Sequence, residues 1–185
     1  MFQLLRAILR VPARLIVSLR YRIHVHGAEQ LRDLKGPVLV LPNHPTRMDP
    51  SVTIMGLSPW LHPRPVLYAG NFLNFLFYPL LLLLGAIRVP DLSRASSKAQ
   101  ARARQALEEV IAALRKGQTV IMWPSGRTER NGIELLGGAR AAADILKQVP
   151  EAQLVLVRTR GLWGSRFSYA YTCLLYTSPS PRDRG

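Results

Sequence analysis

The sequence predicts an α/β fold: a mostly parallel or mixed central sheet flanked by helices, preceded by a basic amphipathic helix. Two observations carry this. The runs "PVLVLP" from Pro37 and "TVIMW" from Thr119 are rich in aliphatic and β-branched residues, the composition of strands buried on both faces, and "AQLVLVRTR" from Ala152 reads as a third strand. Segments with apolar residues at helical spacing lie between them, and strand alternating with helix is the pattern of a parallel sheet. At 185 residues and 48% hydrophobic, the chain is long enough for one domain with a sizeable core.

The N-terminal element is predicted over residues 1–20. Arg6, Arg10 and Arg14 fall on one helical face, Leu5, Ile8, Leu9 and Leu15 fill much of the rest, and no acidic residue precedes Glu29. That is the composition of a helix lying on an anionic membrane, where each basic residue adds about 1 kcal/mol; the alternative is a terminal helix packed on the domain. Arginines interrupt every apolar run, which argues against a secretory signal.

From Tyr21 to Val25 the pattern alternates as in a strand, placing His24 and His26 on one face. Two histidines without a third ligand are ordinary strand residues rather than a metal site, and none is expected. After the turn-rich "HGAEQLRDLKG" comes the first buried strand, and "LPNHPTRMDPS" follows its carboxyl end, where open α/β sheets place their sites. His62, between Leu61 and Pro63, reads as a loop residue.

The run Asn71 to Ile87 has seventeen residues without a charge and carries Pro79. A spanning helix needs about 20, so a buried or membrane-embedded helix is expected rather than a full crossing. After Ser93, Ala99, Ala103, Ala106, Val110, Ile111 and Leu114 predict a long helix stopped by Gly117. "PSGRTERNG" then reads as a loop and "ARAAADILKQV" as a second helix. Trp60 and Trp163 fit either the core or a membrane interface.

The charge of +14 comes from 21 arginines and four lysines against 11 acidic residues. Arginine's planar fork suits phosphate, in lipid headgroups or nucleic acid. Nucleic acid is disfavoured, because no helix-turn-helix, zinc or aromatic-stacking motif is present and the basic residues are dispersed between aliphatic runs. A non-catalytic basic module on anionic membrane or nucleic acid is the competing class. The single cysteine, Cys173, excludes an internal disulfide framework and a Cys-based zinc site, which fits a cytoplasm-facing location.

"CLLYTSPSPRD", Cys173 to Asp183, resembles a translated sequencing adapter. Cys173 to Ser178 can be encoded by TGTCTCTTATACACATCT, which resembles the transposase end of short-read libraries. Residues 173–185 are therefore expected to be artefactual, with the native domain, 21–172, incomplete at its C-terminus. Dropping the tail removes two Arg and one Asp, taking +14 to +13.

A histidine acts as general base when its second ring nitrogen donates to a carboxylate. Asp49 lies five residues after His44, close enough if Pro45 helps to turn the chain between them. The loops leaving the other strands on the same side carry Ser125, Arg127 and Arg130, then Arg158 and Arg160. "WPSGR" lacks the G-x-S-x-G elbow of a hydrolase nucleophile.

"NHPTRMD", Asn43 to Asp49, matches the NHxxxxD signature of the glycerophospholipid acyltransferase family, which includes lysophosphatidic acid and lysophosphoethanolamine acyltransferases. "GAIRVP" resembles its second block and "WPSGRTER" its third, so the resemblance spans about Tyr21 to Arg160. It implies transfer of a fatty acyl group from a thioester, on coenzyme A or acyl carrier protein, to a hydroxyl of glycerol 3-phosphate or a lysophospholipid. His44 would deprotonate that hydroxyl and Asp49 would orient His44, with Asn43 supporting the motif and no metal or cofactor required. Arg88 or Arg94 would hold the acceptor phosphate together with Ser125, Gly126, Arg127 or Arg130. The third block departs from the family's usual Pro-Glu-Gly-Thr-Arg: Ser125 replaces the glutamate and Arg127 stands one place early, while Pro124 and Gly126 match. Membrane lipids would be the partners, on the cytoplasmic face of the cell membrane, with peripheral or monotopic attachment.

Overall fold

The computed structural model describes residues 15, 17–70, 78–90, 96–130, 132–136, 140–165 and 168. Its strands are β1 (Val38–Pro42), β2 (Arg64–Tyr68), β3 (Ile87–Val89), β4 (Thr119–Ile121) and β5 (Gln153–Val157). They form one sheet in the order β3-β2-β4-β1-β5, and every neighbouring pair is parallel. The described helices are α1 (Asp49–Leu57), α2 (Tyr78–Leu83), α3 (Ser97–Arg115) and α4 (Ala141–Gln148), with a 3-10 turn at Ala28–Leu31.

Successive strand residues point to opposite faces, and here both faces are covered. Leu39, Val120 and Ile87 pack on one side against Ala106, Val110, Ile111 and Leu114 of α3 and Ile145 of α4. Val38, Val40 and Ile121 pack on the other against Ile54, Met55 and Leu57 of α1, joined by Leu61. This is why "VLV" is apolar without a break: Val38, Leu39 and Val40 are each at most 2% exposed. Fully burying such a side chain is worth about 1.5–3 kcal/mol, so β1 is pinned at the middle of the molecule.

The long predicted helix forms as α3, capped by the Ser96 hydroxyl accepting from the Ala99 N–H at 3.1 Å. It ends at Gly117, whose φ of 71° is a left-handed conformation that glycine adopts without a Cβ penalty. Arg64 knits the amino end of the sheet: it donates to Gly85 O at 2.8 Å, Gln118 Oε1 at 3.0 Å and Glu109 Oε1 at 2.8 Å.

Several expectations are corrected. Residues 21–25 are irregular rather than a strand, and His24 and His26 are exposed. Ile23 and Val25 lean on α1 instead, so that a Cβ at Gly56 would lie 3.3 Å from Ile23 Cγ2. The uncharged run is not one helix. Its described part divides into α2, with Pro79 in the first turn where proline is tolerated, and the start of β3; residues 71–77 lie outside the described residues. Among the described residues no helix is long and apolar enough to cross a membrane. In β2 and β3, Arg64, Pro65 and Arg88 mask the apolar run that marks the other three.

The N-terminal helix is described only at its end, Leu15 and residues 17–20, where Val17 packs against the α1-side core. Residues 1–14 and the adapter-like 173–185 lie outside the described residues. Trp60 packs against the α1-side core as well, which settles its place in the fold.

Candidate active site

Parallel pairing brings the carboxyl ends of β1, β4 and β5 to one edge. Backbone bonds extend the pairing just past the strands, from Met122 N–H to Val40 O at 3.0 Å and from Asn43 N–H to Val157 O at 3.2 Å. The segments after these strands therefore meet: Asn43 and His44 after β1, Trp123 to Arg130 after β4, and Thr159 after β5.

The loop between His44 and α1 is a tight turn. Thr46, fully buried, accepts the Met48 N–H on its hydroxyl at 3.1 Å. Asp49 then opens α1 with Pro50 behind it, and a carboxylate is favoured in a helix's first turn by the unpaired N–H groups there. The turn folds Asp49 back on His44, with Nδ1 2.8 Å from Oδ1. The Asp49 side chain is 0% exposed and that of His44 is 17% exposed.

The other carboxylate oxygen is also occupied: the Trp123 indole donates Nε1–H to Asp49 Oδ2 at 2.9 Å. With both oxygens accepting, Nδ1 of His44 is the donor of its pair and Nε2 is left for chemistry. Burial pushes the Asp49 carboxyl above the usual carboxylate range, while the bonds from His44 and Trp123 oppose that shift and Glu134 at longer range adds to it. The third-block loop is tied to the dyad by the Glu129 N–H, which donates to His44 O at 2.7 Å. Partial burial raises the Glu129 carboxyl as well, against a bond from the Asn43 side chain.

Asn43 clamps the β5 exit. Its Oδ1 accepts from Thr159 N–H at 2.6 Å and its Nδ2 donates to Thr159 O at 3.1 Å. The Thr159 hydroxyl lies 3.2 Å from that of Thr53 in α1, so three elements are fixed around the dyad.

An imidazole held through one nitrogen by a buried carboxylate can take a proton from a hydroxyl on the other. The sequence model of a known family, described as Acyltransferase, matches residues 22–159, most of the chain and every element of this site. The chain belongs to the acyltransferase family. It is thereby an enzyme that transfers acyl groups. No curated protein matches it at a significant level.

Within this acyltransferase, the predicted residues divide. Asn43, His44, Asp49 and Pro124 gather at the carboxyl edge. Gly126 turns the third-block loop with φ 60° and donates its N–H to Trp123 O at 3.0 Å. The Ser125 hydroxyl donates to Arg127 O at 2.9 Å, a bond inside its own loop. Arg127 and Arg130 are exposed, and Arg130 forms an isolated antiparallel bridge with Ile133. Arg88 lies within β3, its guanidinium 5.7 Å from the centre of the Tyr78 ring. That strand is three positions from β1, about 14 Å at the usual strand spacing, so Arg88 is not brought beside the dyad. Arg94 lies outside the described residues. Arg158 and Arg160, flanking the clamped Thr159, are both exposed.

Sequence reasoning missed Trp123, Glu129 and Thr159 as parts of the site. Their common signal is position: each follows a strand that is legible in the sequence. Among the described residues no group of three or more His, Cys, Asp or Glu could hold a metal ion.

Proposed function

We propose that the protein is an O-acyltransferase that moves a fatty acyl group from a thioester, of coenzyme A or acyl carrier protein, to a hydroxyl of a lysophospholipid or glycerol 3-phosphate. The observation that carries this reading is the 2.8 Å bond from His44 Nδ1 to a wholly buried Asp49, which leaves Nε2 as the base.

In the proposed reaction His44 Nε2 takes the acceptor's hydroxyl proton as that oxygen attacks the thioester carbonyl. The C–S bond then breaks, the acyl group remains on the acceptor oxygen as an ester, and the imidazolium returns its proton to the departing thiolate. Asp49 holds the ring and stabilises its charged form. No enzyme nucleophile or cofactor is needed.

Exposed Arg127 and Arg130 after β4, with Arg158 and Arg160 after β5, offer bidentate donors to an acceptor phosphate. A cleft of about 250 Å³ between the N-terminal segment and α1, lined by Tyr21, Ile23, Val25, Met55 and Trp60, is suited to part of an acyl chain. Exposed Leu15 and Leu19 near the N-terminus, and Ile133, Leu135 and Leu136 beyond the third block, support peripheral attachment to a membrane. The cytoplasmic face is the one where thioester donors are made.

The test is acyl transfer from long-chain thioesters of both carriers to a panel of lysophospholipids and glycerol 3-phosphate, in phospholipid vesicles. Ester formation on one acceptor class, with one free thiol released per ester, is the expected result. Thiol release with water as the sole acceptor would replace this reading by thioester hydrolysis.

A further inference from the structure

We propose that Trp123 is a positioning residue for the dyad: its indole N–H holds the Asp49 carboxylate so that Oδ1 stays aligned with the His44 ring. The proposal deepens the acyltransferase reading and rests on it for its kinetic test.

A carboxylate that orients a histidine must be fixed itself, or it rotates about its own side-chain bonds and takes the ring with it. Here no water competes, since Asp49 is 0% exposed and Trp123 is 7% exposed. The carboxylate's two oxygens are assigned to two different donors, the 2.9 Å indole bond on Oδ2 and the 2.8 Å imidazole bond on Oδ1. That division leaves one rotational setting.

The indole is fixed in its turn. Trp123 packs in the α1-side cluster with Val40, Ile54 and Ile121, and its ring centre lies 5.7 Å from that of His44 at a tilt of 44°. Its backbone is held two residues past β4 by the neighbouring Met122 to Val40 bond and by the Gly126 N–H on Trp123 O. A phenylalanine there would keep most of the packing and lose the donor. Asp49 Oδ2 would then be a buried acceptor with no partner, which disfavours its charged form. The charged and titratable groups that act on Asp49 are His44, which favours the carboxylate, and Glu134, which opposes it; Glu129 is coupled to all three. None of these replaces a neutral donor on Oδ2.

Four chains are compared with the native one: Trp123→Phe, the same site carrying 3-benzothienylalanine, which keeps the bicyclic shape and replaces N–H by sulfur, and Asp49→Asn with and without Trp123→Phe. Both tryptophan replacements are expected to lower kcat about tenfold or more, the size of a lost bond to a charged group, with KM for the acceptor unchanged. The acid limb of the pH–rate profile moves to higher pH, and so does the titration of the Asp49 carboxyl carbon followed by 13C NMR. In the Asp49→Asn background Trp123→Phe costs little further, because the group it acts through is gone.

Equal loss from Trp123→Phe in both backgrounds, or an unmoved carboxyl titration in the benzothienyl protein, would overturn the positioning role and leave Trp123 as packing. If the native chain transfers no acyl group, the acyltransferase reading fails separately, and the carboxyl titration still decides whether the indole holds Asp49.

Discussion

Two ion pairs of the same 2.8 Å length lie at opposite ends of the sheet, and they are built in opposite ways. At the amino end, Arg64 and Glu109 are 25% and 50% exposed, and Arg64 also binds Gly85 O and Gln118. Water can reach both partners, so such a pair contributes about 0.2–1 kcal/mol and is replaceable. At the carboxyl end, Asp49 is wholly buried and its pKa is raised by that burial. The fold gains nothing from ionising this group. Equal lengths therefore conceal unequal purposes: one pair ties segments together, and the other keeps a charge where burial opposes it, which is the mark of a functional site.

The sharpest contrast comes from His44→Ala. Removing the base should lower acyl transfer by a factor on the order of a thousand or more, and the unfolding temperature should fall as well, since the buried Asp49 Oδ1 loses its donor. Transfer rates and thermal unfolding of the same preparation check this together.

Asn43→Ala breaks the clamp between the two regions' common strands. The Thr159 N–H and C=O lose their partners, at a cost of about 1–3 kcal/mol, and urea unfolding should report it. Activity should fall less than for His44→Ala, because the dyad itself remains.

The smallest effect belongs to the amino end. Glu109→Gln should cost at most about 1 kcal/mol and leave kcat and KM unchanged. A large loss of activity from this change would erase the distinction between the two ends.

Much of this was legible in the residues. The strands β1 and β4 announce themselves because they are covered on both faces and so carry unbroken apolar runs; β5 carries one too, although Leu154 and Leu156 on its outer face are exposed. The spacing of His44 and Asp49, with Pro45 between them, already suggests a turn that could bring one back on the other; the helix that Asp49 opens comes from the structure. What stayed hidden depends on the third dimension. The strand β2 opens with Arg64 and Pro65, and β3 shelters behind an uncharged run that resembles a helix. Trp123 is 74 residues from Asp49 in the chain and meets it only because β4 lies next to β1. Arg88, one of two arginines that the second block offers for a phosphate, shows the converse: its place in β3, three strand positions from β1, was not legible from the motif.

The sign of the Asp49 shift gives the most direct test of a charge kept against the fold's preference. A carboxyl whose folded pKa is raised binds more protons folded than unfolded, so its favourable contribution is full below the unfolded value of 3.8 and is lost as pH rises through the folded value. At neutral pH the ionised group therefore opposes folding, and Asp49→Asn removes that opposition. The decisive measurement is kcat and unfolding temperature for Asp49→Asn beside the native chain at pH 7. A fall in kcat on the order of a hundredfold or more, with an unfolding temperature equal to or above the native one, is the expected result. Retained activity, or a marked drop in unfolding temperature, would contradict a dyad held for catalysis and make His44–Asp49 a structural pair like the one at the other end of the sheet.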